Sequence, residues 1–344
     1  MKAAVLEKIN KINLTEVEIP SCGAGEVLLK VEACGVCRTD MKSFTRGQRD
    51  LKLPRVLGHE IAGTVLKKGE GVENIKAGDR VQVSPGITCG KCEYCLQGRD
   101  NLCSHLQIMG FNYHGGFSQY LLVPSRGVKN NILHKIPSHL TFEEATMTEP
   151  LACCLNMQES LQVKEGDTVL ILGGGRLGIL NARLARARGA GPLVLVEPRE
   201  ERISLAEKMG FDYSLNPLKT HAQEEIMNIT RSKGADVVIP CCPHPEAFNL
   251  GLHVAAKGSR FGYFSGLTPD KTFQVDLNLV HYKELQVVGG YGCSINHNRR
   301  ALELLSRETV TVKDILTRFI SLEEIEKGLK MIENMTELAV TVRF

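Results

Sequence analysis

The chain has 344 residues, of which 43% are hydrophobic and 24% charged, and it carries a net charge of +3. This length suits two domains rather than one core, and the composition is that of a globular protein. No basic run of five or more appears and no apolar run approaches the ~20 residues that span a bilayer, which argues against nucleic-acid and membrane partners.

The opening "MKAAVLEKINKINLTEVEIP" reads as two strands around a turn and lacks the apolar core of a signal peptide. Twelve cysteines without an export signal are expected as free thiols or metal ligands, so a cytoplasmic location is expected. To about residue 150, short apolar bursts broken by Gly and Pro predict a β-rich unit: "EVLLKVEACGV", "EIAGTVLKKG", "GDRVQVS" and "FSQYLLVP". From about 165 the rhythm changes. "TVLILGGG" is a buried strand, "LGILNARLARARG" a helix, "LVLVE" a strand and "REERISLAEKMG" a second helix. "ADVVIP", "GSRFGYFSG" and "ELQVVGGYG" follow as strands, and such alternation implies a parallel sheet. "LEEIEKGLKMIENMTELAVTVRF" reads as a helix and a final strand that returns to the first domain. The absence of Trp removes indole as a platform for sugar stacking.

Three motifs carry chemistry. "CGKCEYCLQGRDNLC" places Cys89, Cys92, Cys95 and Cys103 on one short loop. Four thiolates suit a closed, tetrahedral, structural zinc site that folds its own loop, with an iron–sulfur cluster as the weaker rival. Cys37 in "CGVCRTD" and His59–Glu60 in "LGHEIAG" offer a thiolate, an imidazole and a carboxylate. A catalytic zinc takes about three protein ligands and keeps one position open, and Glu60 and Glu149 are both candidates to complete the set. In "LILGGGRLGIL", Gly173, Gly175 and Gly178 have the dinucleotide-binding spacing between a strand and a helix, with Arg176 and Leu177 inside the motif. Glu197 ends the next strand, where a carboxylate accepts from both ribose hydroxyls and repels a 2′-phosphate, so NAD is favoured over NADP. Arg199 and Arg202 follow closely and weaken that preference; Arg202 is carried as a cofactor contact, against the plainer reading of a solvated helix start.

Together, "CGVCRTD", "LGHEIAGTV", "AGDRV", the four-cysteine loop, "GGFSQYLLVP", "TEPLACC" and "LGGGRLG" make the chain resemble the zinc-dependent medium-chain alcohol dehydrogenases over its whole length. Within that family it looks closest to the polyol (sorbitol-like) and threonine dehydrogenase branch. The resemblance implies a GroES-like catalytic domain (1–153, with the zinc loop at 84–110), a Rossmann NAD-binding domain (154–291) and a C-terminal segment (292–344) that returns to the first. It implies one catalytic and one structural Zn2+ per chain, NAD as cofactor, a small-molecule alcohol as partner, and a dimer or tetramer. Cys37 and His59 match the catalytic zinc ligands. Glu60 matches a carboxylate that coordinates zinc directly or lies just behind it, and Glu149 matches the acid of the branch's "EP" motif. Asp40 matches the carboxylate that orients the ligand His, and Thr39 the hydroxyl that takes the alcohol proton. Cys153, one helical turn after Glu149 if a helix starts at Pro150, is the rival third ligand, whereas Cys154 is expected in the core. Lys42 departs from the family, which often has a His there. "PCCPHPEAF" departs too, and is read as a variant cofactor loop rather than a third metal site.

The resulting expectation is hydride transfer between a secondary alcohol, of polyol or sugar type, and NAD. An NADP-dependent aldehyde reductase, a threonine-type dehydrogenase and a non-catalytic nucleotide-binding protein are the alternatives. A pocket near Phe44, Phe111 and Tyr113 is compatible with several small alcohols.

Overall fold

The computed structural model describes residues 1–266, 272 and 274–344, and the chain divides into two units, Met1–Ala152 with Cys293–Phe344, and Cys153–Gly292. The first unit is built mainly on antiparallel pairing, with one parallel pair, Arg318–Ile320 beside Val340–Arg343. Its central strand, Val27–Val36, is buried along nearly its whole length because it pairs with Glu60–Lys68, Tyr120–Val123 and Val340–Arg343. Arg80–Val83 and Leu133–Lys135 extend the sheet on one side, and Arg318–Ile320 extends it on the other. The C-terminal strand is thus a sheet neighbour of residues more than 300 positions earlier, with Val340 opposite Val36. A smaller sheet pairs Lys2–Lys8 with Lys11–Glu16 and Arg55–Val56. The core between these layers holds Leu6, Leu29, Leu57, Ile61, Phe117 and Leu121, all essentially without solvent contact.

The second unit is a six-stranded parallel sheet in the order Tyr213–Leu215, Leu193–Val196, Val169–Leu172, Ala235–Pro240, Ala255–Tyr263, Gln286–Gly289. Val169–Leu172 and Leu193–Val196 are buried at every position, as expected of strands covered on both faces. The order reverses between Val169–Leu172 and Ala235–Pro240, and the crevice at such a reversal is where open α/β sheets take ligands. Phe248 packs against Phe261 and Tyr263 in its core.

Two local expectations change. The second helix after "LVLVE" is a single turn, Glu200–Ile203. Beyond it the backbone mixes tighter i−3 bonds, Leu205 to Arg202 and Ala206 to Ile203, with an isolated i−4 bond from Met209 to Leu205, and no continuous α-helix forms. The helix bearing Glu149 begins at Thr148 rather than Pro150 and runs to Ser160. Among the described residues no helix is long and apolar enough to cross a membrane.

Candidate metal centres and dinucleotide cradle

Cys89, Cys92, Cys95 and Cys103 bring their sulfurs within 4.8 Å of one another. The Cys92–Cys95 pair is 3.5 Å apart and the Cys89–Cys95 pair 3.9 Å. A tetrahedron with ~2.3 Å metal–sulfur bonds has edges of about 3.8 Å, so the set fits a closed zinc site. Backbone N–H groups already point at the sulfurs, from Cys92 to Cys89 Sγ (3.3 Å) and from Cys89 and His105 to Cys103 Sγ (3.2 and 3.4 Å). Such donors favour thiolate: those of Cys95 and Ser104 bring the Cys92 thiol down to about 6. Cys95, pressed by burial and by its neighbouring thiols, is pushed up to about 12.

Cys37, His59 and Glu60 form a second group within 4.8 Å. The register of the central sheet explains how they meet. Gly35 sits opposite Glu60, so the chain leaving Val27–Val36 delivers Cys37 beside the start of Glu60–Lys68, just after His59. A Cβ at Gly35 would strike Glu60 Oε2, so the glycine leaves room for that carboxylate where it stands. Cys37 then caps the helix Arg38–Arg46. Asp40, fully buried, ties the group together. Its Oδ2 accepts from Cys37 N (2.9 Å), and its Oδ1 accepts from Gly58 N and lies against His59 Nδ1 (both 3.2 Å). His59 therefore presents its other ring nitrogen as the ligand atom. Burial opposes a charged His59, but the negative charges of Asp40 and Cys37 outweigh it and hold the imidazole well above its ordinary value. Thr39 Oγ1 lies 3.7 Å from Cys37 Sγ, and the Phe111 ring is 5.5 Å from that of His59.

Glu149 is not in this group. It is buried and shares ligand distances within 4.8 Å with Cys153, one turn on in its own helix, and with Cys293. Cys293 Sγ lies 4.0 Å from the Glu149 carbonyl and accepts from Asn298 Nδ2 at 3.2 Å. Nothing in the sequence pointed to Cys293, a single cysteine 144 residues from Glu149. Cys154 is wholly buried.

In the second unit, Gly173 has φ +109° and its N–H donates to Val196 O, which forms the turn out of the first strand. Gly175 caps the helix Arg176–Ala187, whose first residues are Arg176, Leu177 and Gly178. A Cβ on Gly178 would collide with Gly173 O, so this glycine permits the helix to close on the turn. Glu197 is buried and fully engaged: Oε2 accepts from Gly174 N (2.7 Å) and faces Arg202 Nη1 (3.5 Å), while Oε1 accepts from Arg199 N (3.0 Å). Motif spacing could not reveal this clamp. In the "PCCPHPEAF" stretch, Cys241 N donates to Leu172 O and its thiol, raised by burial, takes a contact from Asn181 Nδ2. Among the described residues Cys241, Cys242 and His244 join no metal-type group.

Residues 23–138 match the alcohol dehydrogenase GroES-like domain, and residues 177–307 match the zinc-binding dehydrogenase family. The chain is 37% identical over 279 residues to an L-threonine 3-dehydrogenase of Pyrococcus furiosus, covering 80% of this chain and 78% of that one. It is 30% identical over 334 residues to the sorbitol dehydrogenase of Bacillus subtilis, covering 96% and 93%. A solved structure described as a zinc-binding dehydrogenase from Sinorhizobium meliloti 1021, bound to NADP, superimposes with a TM-score of 0.92 at 33% identity, over 100% of this chain and 99% of that one.

Proposed function

Because the chain belongs to the zinc-type medium-chain alcohol dehydrogenase family, we propose that it oxidises a secondary alcohol of polyol or sugar type with NAD. The observation that carries the proposal is the Cys37–His59–Glu60 group, with Asp40 fixing His59 from behind and Thr39 beside Cys37. A protein that only bound a nucleotide would need none of these.

Cys37, His59 and Glu60 would hold the catalytic zinc, and Cys89, Cys92, Cys95 and Cys103 the structural one. One thiolate, one imidazole and one carboxylate are the three protein ligands that a catalytic rather than a structural zinc would take. Zinc there supplies a Lewis acid that brings the pKa of an alcohol toward neutrality. Thr39 accepts the hydroxyl proton and passes it outward, and Asp40 keeps His59 in one tautomer and orientation throughout. Glu149 stands outside the Cys37 group and serves as the carboxylate that steadies the incoming hydroxyl or joins the ligand set in place of Glu60. Cys153 is its rival for the second of these roles.

The dinucleotide supplies the hydride acceptor. Gly173, Gly175 and Gly178 admit its diphosphate to the start of the helix Arg176–Ala187, where unpaired N–H groups favour anions. Glu197 favours NAD, since its carboxylate repels a 2′-phosphate; Arg202 contacts the cofactor beside it. The threonine relative supports a second reading, a hydroxyamino acid substrate. Twelve free thiols support a cytoplasmic setting, and a homo-oligomer is proposed from family habit. The test is a panel of polyols, sugar phosphates, threonine and simple alcohols, read by NADH and NADPH formation. Reduction of NAD by a polyol supports the reading, and zinc-loaded protein that turns over none of them refutes it.

A further inference from the structure

The division of the chain into two units falls between Ala152 and Cys153 and again between Gly292 and Cys293. A cysteine therefore stands at each of the two places where the backbone passes from one unit to the other. The sulfurs of these two cysteines lie within 4.8 Å of each other, and a carboxylate oxygen of Glu149 lies within that distance of both. The helix Thr148–Ser160 explains the meeting. Glu149, Cys153 and Asn156 follow one another at helical spacing on one of its faces. Asn156 Nδ2 donates to Tyr291 O (3.4 Å) and Gly292 O (2.9 Å), which fixes the two residues just before Cys293 against that face. Cys293 Sγ lies 4.0 Å from Glu149 O and accepts from Asn298 Nδ2 at 3.2 Å, which fixes the thiol itself.

Both cysteines are half-buried thiols, each with part of its surface open to solvent. The other partly exposed thiols are placed differently. Cys37, Cys89, Cys92 and Cys95 belong to the two metal-type groups described above, and Cys22 faces the backbone carbonyls of Gly23, Glu26 and Lys67. Cys241 and Cys242 are adjacent in the chain, where a disulfide closes only a small, strained ring. An S–S bond is about 2.05 Å long, and one change of rotamer swings a cysteine sulfur by about 3 Å. The gap between Cys153 and Cys293 is thus of the size that rotamer changes close. Where thiols are kept reduced, a disulfide that does form is usually transient and redox-responsive.

We propose that Cys153 and Cys293 are a redox modification site, joined by exchange with a low-molecular-weight disulfide such as glutathione disulfide. One thiolate attacks that disulfide, expels a glutathione thiolate and leaves a mixed disulfide. The second thiolate displaces the remaining glutathione thiolate. Two protein thiols are oxidised, one glutathione disulfide is reduced, and the two protein protons end on the glutathiones released. The bond staples the two ends of the parallel-sheet unit. It encloses residues 153–293 in one ring, and closing so long a loop strongly restricts the unfolded chain. The site does not depend on the dehydrogenase reading.

Two thiols and a carboxylate are also a donor set for a metal ion, so the experiment uses zinc-loaded protein. Wild type and Cys293→Ser are equilibrated with glutathione buffers of rising disulfide content. Peptide mapping, with fragment sequencing to tell Cys153 from Cys154, should find the wild-type Cys153 and Cys293 peptides cross-linked. The linked pair should have lost two hydrogens and kept no glutathione. The melting temperature should rise with the cross-link, and dithiothreitol should reverse both changes. In Cys293→Ser the cross-link should be absent, Cys153 should keep a glutathione adduct, and oxidation should no longer raise the melting temperature. Wild-type thiols that stay free in the most oxidising buffer, or that hold glutathione without cross-linking, overturn the proposal. So does a cross-link that leaves the melting temperature unchanged. A third zinc ion per chain, present in the wild type and lost in Cys293→Ser, assigns the group to a metal and overturns it as well.

Discussion

Replacing Asp40 with Asn tests how the Cys37–His59–Glu60 group is held. The side chain keeps its shape but loses its charge and one acceptor. In the native protein three N–H donors converge on it: Cys37 N on Oδ2, and Gly58 N and His59 Nδ1 on Oδ1. An amide has one oxygen, so either orientation turns an NH2 group toward a buried N–H. One orientation sacrifices the Cys37 bond; the other sacrifices both Gly58 and His59. A buried donor left without its acceptor costs about 1–3 kcal/mol, so stability should fall by roughly that amount. The loss of the carboxylate behind His59 should weaken metal binding by about 10–100-fold, the usual effect of removing the outer partner of a metal-binding imidazole. Competition with a chelator of known zinc affinity measures this, with urea denaturation giving the stability term. The four-cysteine group shares no residue with this one, so a zinc ion held there should not weaken. An Asp40→Asn protein that binds both ions as tightly as the wild type would refute the reasoning.

Two further outcomes follow from the geometry. Gly35→Ala would press its Cβ into Glu60 Oε2 on the paired strand. Overpacking of this kind costs about 1–3 kcal/mol, and it should also displace Glu60 and lower zinc retention at this centre. Denaturant midpoints and metal analysis would detect both, and an unaltered centre would show that Glu60 is not held as described. In zinc-stripped protein, Cys92 should alkylate first, with a midpoint near its value of about 6, and Cys95, raised to about 12, should be the slowest of the four. The Cys92 thiol is lower in the fold than free. Its contribution to the stability of the stripped protein is therefore complete above the unfolded value near 9 and lost as pH falls through about 6. Mass spectrometry of partially alkylated protein at several pH values checks the order.

The legible parts of the sequence are those whose physics is local. Val169–Leu172 and Leu193–Val196 are unbroken apolar runs because both faces of their sheet are covered, and that is visible in four residues. The four cysteines lie within fifteen positions of one another, so their spacing alone describes a closed site. The strand Tyr213–Leu215 escaped notice because it is a three-residue edge with a polar centre. The helix after Glu197 looked longer than one turn because its apolar spacing suits an α-helix and a run of tighter turns equally. Cys293 and the three-way clamp on Glu197 depend on contacts that no periodicity records. The same holds for the grouping of Glu149 apart from Cys37. Spacing along the chain says which residues are able to bind a metal, and the register of Gly35 against Glu60 says which of them meet.

The central claim is that Cys37 belongs to a catalytic zinc centre distinct from the four-cysteine site. Zinc stoichiometry and NAD reduction, measured on the wild type and on Cys37→Ser, test it most directly. The wild type should hold two zinc ions per chain and form NADH from an alcohol, and the variant should keep one ion and lose turnover. A Cys37→Ser protein that retained both ions and full turnover would contradict the assignment.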